Sequence, residues 1–409
     1  MLKKVILKNW KSFREASLPI DPLTILIGTN ASGKSNALDA LEFLYRVTMG
    51  KEIQAALAGD STLNPLRGGI EWATLKPESQ FTLEVIIQGK DIKTDYHYSI
   101  TVETQPRIQL FSEYLIKKTK KNTVSLFKTE ENLTRDSPSI TTRLYNSKSG
   151  TTQGFYRTHS LLHQLKGSAT KEEIFKGVTW VSQILQNIFI LDPIPSQMRS
   201  YSSLSDRVQN DAANLAGVLA ALPDNQKAEI EEKLAFYGKN LPERDITKVW
   251  SETVGRFNND AMLYCEELWN KNEEPRIIDA KAMSDGTLRF LAILTALLTR
   301  PQGSQMVIEE VDNNLHPSRS HLLVKMLREI GEQRQVDLLV TTHNPALLDA
   351  FGPEVVPFVI VAHRDFLTGE SLLTPLEEIE NLPKLMASGS LGKLTTQGVI
   401  EKNLMVLDN

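Results

Sequence analysis

The segment Gly28-Thr29-Asn30-Ala31-Ser32-Gly33-Lys34-Ser35 constrains this chain more than any other. It fits the pattern G-x-x-x-x-G-K-[ST], and its surroundings match the pattern's requirement. Leu23, Ile25, Leu26 and Ile27 before it read as a short buried strand, and Ala37, Leu41 and Leu44 after it recur at helical spacing. Strand, glycine loop and helix together predict a phosphate-binding loop. Glycines let successive backbone N–H groups turn inward around an anion, and the helix start aims its positive dipole end at the same point. Lys34 then reaches the β- and γ-phosphates, and the Ser35 hydroxyl is placed to ligate Mg²⁺. The predicted nucleotide-binding set is Gly28, Asn30, Ala31, Ser32, Gly33, Lys34, Ser35 and Asn36.

A phosphate loop alone suits kinases, GTPases, helicases and transporter motors, so the second half of the chain has to choose among them. Met306-Val307-Ile308-Glu309-Glu310 is an apolar strand ending in two carboxylates. One of them can hold Mg²⁺, often through water, while its neighbour polarises the attacking water. Glu309 is assigned the metal role and Glu310 the base. Ahead of them, Met283-Ser284-Asp285-Gly286-Thr287 precedes an apolar helical run over 288–298. Beyond them, Leu338-Leu339-Val340-Thr341-Thr342-His343 is a buried strand that delivers a histidine to its C-terminal end, where ligands sit in open α/β sheets.

Together these motifs resemble the ABC-type ATPases of the RecF, SMC and OLD group, and most of all the stand-alone bacterial ones found beside anti-phage effectors. The resemblance implies that Ser284 and Gly286 bind the γ-phosphate of an ATP held by another copy's phosphate loop. It also implies that His343 hydrogen-bonds the γ-phosphate, and that Lys11, within Asn9-Trp10-Lys11-Ser12-Phe13, approaches the nucleotide. Leu191-Asp192-Pro193, Met198-Arg199, Asn214-Leu215-Ala216 and Gly389-Ser390-Leu391-Gly392 belong to the same likeness. The chain departs from the ABC pattern at Glu309, where Asp is usual, at Asp285, often glycine, and at Val311, often proline.

The implied fold is α/β: an ABC-type ATPase head with a mixed central sheet, an antiparallel β subdomain, a helical and loop insertion, and no long coiled-coil arms. Residues 81–116 read as antiparallel hairpins around a turn at Gln88-Gly89-Lys90-Asp91, and 179–190, 210–222 and 225–236 as helices. The expected organisation is an N-terminal ATPase lobe over 1–116, an insertion of basic loops and then helices over 117–270, a C-terminal ATPase lobe over 271–380 and a tail over 381–409. Within 117–157, Lys117, Lys118, Lys120, Lys121, Lys128, Arg135, Arg143, Lys148 and Arg157 face only Glu130, Glu131 and Asp136. That local excess predicts contact with nucleic acid or an acidic partner.

Bulk properties exclude several alternatives. A net charge of −4 over 409 residues predicts neither a nucleic-acid binder nor a membrane-surface protein as a whole. The single cysteine, Cys265, permits no intramolecular disulfide and fits a reducing compartment, while no apolar run is long enough for a membrane span, so a cytoplasmic location is expected. His159 and His163 have helical ligand spacing but no neighbouring Cys, Asp or Glu to complete a metal site. Absence of any D-x-D argues against a toprim nuclease centre.

The functional expectation is therefore an ATP-hydrolysing switch using ATP and Mg²⁺. It dimerises, or forms a higher homo-oligomer, over ATP and controls nucleic acid or a separately encoded effector, a nuclease or toxin, in anti-phage defence or DNA maintenance. The alternative is a non-catalytic ATP-bound scaffold that holds such a partner inactive.

Overall fold

The structure, a computed structural model, describes residues 1–130, 137–145, 149–167, 170–241, 245–268 and 274–407. The chain folds as two units, Met1–Ile188 with Phe358–Ile379 and Asn403–Asn409, and Phe189–Pro357 with Glu380–Lys402. The first boundary thus falls at 188/189 rather than at 116/117.

The first unit is built on an eight-stranded antiparallel sheet. Its order is Phe13–Pro19, Leu2–Trp10, Gln80–Gln88, Thr94–Glu103, Gln109–Thr119, Thr123–Thr129, Ser139–Leu144 and Thr151–Tyr156. Gln80–Gln88 alternates strictly, with Phe81, Leu83, Val85 and Ile87 buried, as a strand with one face on a core must. The turn expected at 88–91 forms, with Gly89 N–H donating to Thr94 O (2.8 Å).

The basic stretch corrects an expectation. It was read as loops of an insertion, yet the last three strands of this sheet come from it, because Leu126, Phe127, Ile140, Leu144 and Phe155 supply a buried face and the intervening threonines suit a pleated surface. Part of its charge is structural. Arg157 is buried and donates to Leu110 O (2.8 Å), Arg143 pairs with Glu130, and Lys117 pairs with Glu173 at 3.1 Å. Glu131, Arg135, Asp136 and Lys148 lie outside the described residues. On the outer strand, the Gln164 side-chain amide accepts from Tyr156 N–H (2.9 Å) and donates to Tyr156 O (2.8 Å).

The helix Glu172–Gln186 packs on this sheet. A Cβ at Gly177 would lie 2.3 Å from Leu126 Cδ1, so glycine lets the backbone come close. The predicted helix over 179–190 stops early, since Ile188–Leu191, an apolar β-branched and aromatic run, is a strand. Glu113, fully buried, accepts from Ser160 Oγ (2.8 Å), Leu161 N–H (2.7 Å) and Tyr98 OH (2.9 Å), and burial pushes its carboxyl up to about 7. Also in this unit, Leu23–Ile27 runs parallel to Val359–Arg364, which pairs antiparallel with Ser371–Pro375.

In the second unit Gln305–Ile308 and Asp337–Thr341 pair in parallel, joined through the helix Ser320–Arg334. The helix Asp285–Thr299 is apolar all round and buried over almost its whole length, which explains why its sequence shows little amphipathic contrast. The hairpin Asp245–Val254/Asp260–Leu268, with Arg276–Asp279 and Ser202–Ser203 beside its second strand, lies where loops and helices were expected. Among the described residues no helix exceeds 15 residues or is long and apolar enough to cross a membrane, and there are no coiled-coil arms.

Candidate nucleotide site

In the first unit, 28–35 leaves the Leu23–Ile27 strand and enters the helix Lys34–Thr48. Gly28 has φ +141°, and a Cβ there would stand 2.1 Å from Ala362 O; Gly33 has φ +113° and a Cβ would meet Ser371 Oγ at 2.6 Å. Both positions require glycine. Gly33 caps the helix without a side-chain acceptor, so the first N–H groups are left to the loop. Lys34 Nζ bends back over the loop to Gly28 O (2.7 Å) and Thr29 O (2.9 Å). Asn30 and Ala31 are exposed at the crest, and Ser32 is buried. Gly28→Ala is expected to cost about 2 kcal/mol through overpacking and to disturb the loop. A lowered melting temperature together with lost ATP binding checks this; an unchanged melting temperature contradicts the packing argument.

The loop's helix is pinned from the first strand. Trp10 Nε1 donates to Asn36 O (2.7 Å), and Asn36 Nδ2 to Ser12 Oγ (2.7 Å), while the Trp10 ring packs with Phe43 and Phe81 at centroid distances of 5.9 and 4.7 Å. Lys11 is 8% exposed, forms a buried ion pair with Asp39 and donates to Arg67 O (2.7 Å). Burial holds its ammonium below the ordinary lysine range, against the pull of Asp39. Its charge is thus engaged by the protein, where the resemblance directs it to the nucleotide.

In the second unit, Ser284 caps the helix Asp285–Thr299 by accepting from Thr287 N–H (3.1 Å) and is exposed at its tip. Arg199 Nη2 donates to Met283 O (2.9 Å) and to Asp285 Oδ1 (2.6 Å). A Cβ at Gly286 would lie 2.6 Å from Asn314 O, so this glycine lets the helix tip touch the loop after the acid pair.

From the next turn, Arg289 sends its guanidinium to Glu309 O (2.7 Å), Glu310 O (3.0 Å) and Pro193 O (2.9 Å), with Asp192 Oδ1 at 3.5 Å. It is 2% exposed, and burial lowers its pKa against the carboxylates around it. Glu310 has φ +46°, a conformation costly for glutamate and held by its N–H donating to Thr341 Oγ1 (2.8 Å); Asn313 Nδ2 donates to its carboxylate (3.2 Å). Glu309 N–H donates to Leu191 O (3.3 Å). His343 is exposed at the end of Asp337–Thr341, between Thr342, which donates to Asp312 (2.8 Å), and Asn344, which caps Pro345–Phe351. Gly392 packs against Pro345 O, and Ser390 and Gly392 both donate to Asp349.

Sequence reasoning missed Arg289, Arg364 and Thr341. A lone cation inside an apolar helix was the available signal for the first. Arg364, at the end of its strand, donates to Ala31 O (2.9 Å) of the phosphate loop. The Ser35 hydroxyl in the first unit and the Glu309 carboxylate in the second are each an oxygen donor of the kind Mg²⁺ takes, and among the described residues no group of three His, Cys, Asp or Glu could cage a metal.

Over residues 23–349 the chain matches the family described as AAA domain, putative AbiEii toxin, Type IV TA system. It belongs to that family. The AAA ATPase is 22% identical over 379 residues to the ATP/GTP phosphatase of Helicobacter pylori, with 90% of each chain covered. A 55-residue segment is 46% identical to the chromosome partition protein Smc of Methanocaldococcus jannaschii, and that match covers 13% of this chain and only 5% of the Smc protein. An SMC head solved with the C-winged helix domain of ScpA aligns at 14% identity and a TM-score of 0.52, covering 91% of this chain and 97% of the head. The AAA ATPase therefore carries the SMC-head type of ATPase fold.

Proposed function

We propose that this AAA ATPase binds and hydrolyses ATP as a switch, two copies closing over two nucleotides, and that closure controls a separately encoded effector or nucleic acid in anti-phage defence or DNA maintenance. The observation that carries this reading is Arg289. One buried guanidinium ties the first turns of the signature helix to the carbonyls of both Glu309 and Glu310, so whatever seats at Ser284 and Gly286 is coupled mechanically to the hydrolytic acids.

In this reading the 28–35 backbone and Lys34 bind the triphosphate. Glu310 accepts the proton of a water attacking the γ-phosphorus, the bond to the bridging oxygen breaks, and ADP and phosphate leave; His343 donates to a γ-phosphate oxygen. Mg²⁺ bound with ATP supplies neutralising charge, held by Ser35 and Glu309. Ser284 and Gly286 of the other copy complete the γ-phosphate site from an exposed helix N-terminus.

Light scattering of the wild-type chain with and without ATP, combined with phosphate release with and without duplex DNA, tests this. The expected result is ATP-dependent dimer formation and measurable turnover. Binding and assembly without turnover favour the scaffold, and a monomer saturated with ATP sinks the two-copy reading.

A further inference from the structure

Five exposed lysines of the first unit come together at one end of its sheet. In the antiparallel order Gln80–Gln88, Thr94–Glu103, Gln109–Thr119, Thr123–Thr129, the turns at 89–93 and 120–122 fall at the same end, two strand spacings or about 10 Å apart. The first turn carries Lys90 and Lys93. The second carries Lys120 and Lys121, with Lys118 on the strand leading into it, and all five are exposed. Nearby acids are engaged elsewhere: Asp91 accepts from Lys93 N–H (2.9 Å) and Thr94 Oγ1 (3.1 Å) within its own turn, and Asp95 pairs with Lys3 at 2.7 Å. The chain's overall charge of −4 thus conceals a local cationic surface, assembled by pairing two hairpins that are apart in sequence.

An aliphatic side chain stands among these cations. Ile92, between Lys90 and Lys93, is 84% exposed, more than any other large apolar side chain among the described residues. Its turn is well fixed. Gly89 N–H donates to Thr94 O (2.8 Å) and Thr94 N–H to Asp91 O (3.3 Å), while Trp180, from the helix Glu172–Gln186, donates its Nε1–H to Gln88 O (2.9 Å) and has Lys90 Nζ 5.5 Å from its ring centre. Ile92 is therefore held out into water by a braced turn. Lysine ammoniums attract an anionic layer within a Debye length, and an aliphatic tip gains free energy only where it leaves water. A phosphate backbone would satisfy the lysines and leave Ile92 in water, and the five cations include no arginine to read base edges. A surface that is anionic outside and apolar just beneath satisfies both.

We propose that these two turns dock the chain on an anionic phospholipid surface, the lysines lying against the headgroups and Ile92 entering the boundary with the acyl chains. The inference stands apart from the ATPase reading, since none of these residues belongs to the nucleotide site.

Co-sedimentation of the full chain with vesicles of phosphatidylcholine, alone or mixed in equal parts with phosphatidylglycerol, is the test. Wild type is expected on the anionic vesicles only, and raised salt is expected to release it. The triple variant Lys118→Glu/Lys120→Glu/Lys121→Glu should lower partition about a hundredfold or more, about fivefold for each cation lost. Ile92→Ser should lower it about tenfold through lost apolar burial. Lys128→Glu, exposed on the same strand toward its other end, should bind as wild type does. Melting temperature and ATP turnover in solution should stay at wild-type values throughout, because every substituted side chain is exposed and remote from the phosphate loop in sequence. Equal binding to both kinds of vesicle, or wild-type partition in either the triple variant or Ile92→Ser, overturns the proposal. So does a wild-type chain that stays off the vesicles and binds duplex DNA through the same lysines.

Discussion

Glu310→Gln is expected to bind ATP as wild type does while its hydrolysis falls by about 10²-fold or more, the scale of a lost general base. Glutamine keeps the side-chain length and can still accept from Asn313 Nδ2, and the backbone anchors at Thr341 Oγ1 and Arg289 are untouched, so the loop geometry survives. What disappears is an oxygen able to take the water's proton. The stalled chain should accumulate as an ATP-dependent dimer or higher assembly. Adding Ser284→Arg should dissolve that assembly, because an arginine at the exposed helix tip fills the place of the γ-phosphate; losing the cap itself costs about 1 kcal/mol and leaves the fold intact. Phosphate release and light scattering of the single and double variants read both effects. Normal turnover in Glu310→Gln removes Glu310 as the base, whereas an inactive variant that never assembles leaves an ATPase without the two-copy sandwich.

Arg289→Met should be the second large effect. Methionine fills much of the volume but strips the donors from three carbonyls, and leaving such buried groups unpaired costs about 3 kcal/mol in total. Glu310, already at φ +46°, loses one of the contacts that fix it. Turnover, measured below the variant's melting temperature, is expected to fall at least about tenfold with ATP affinity kept, since the lesion lies on the acid pair and not on the phosphate loop. Arg289→Lys should recover part of the stability, as one ammonium cannot serve all three carbonyls. Wild-type turnover in a destabilised Arg289→Met chain would reduce Arg289 to a packing residue.

Legibility in the sequence followed how local the signal was. The phosphate loop, the turn at Gly89, the helix from Asp285 and the strands Gln305–Ile308 and Asp337–Thr341 were readable because glycine patterns and apolar periodicities act over a few residues. The hairpin from Asp245 was not. Its register shifts between Ile246 and Lys248, which breaks the alternation that marks a strand. The strands of 117–157 were hidden by threonines that read equally as loop. The likeness at Asp192, Arg199 and Gly392 had no chemistry attached until the folded chain paired them with Arg289, Asp285 and Asp349. Lys11 shows the opposite case, since a basic residue directly after Trp10 gives no hint that Asp39, in the helix that follows the phosphate loop, pairs with it.

The Gln164 amide at the outer strand has a consequence for how this chain behaves when crowded. Thr151–Tyr156 ends an eight-stranded sheet with mostly exposed Thr, Gln and Gly and no proline or lysine, a composition open to pairing with a neighbour's strand. By offering both an acceptor and a donor to Tyr156, Gln164 imitates the main chain of the strand that would come next and closes the ladder at that point. At Tyr156 the sheet is thus closed by a side chain, one amide standing where a neighbour's strand would begin to pair.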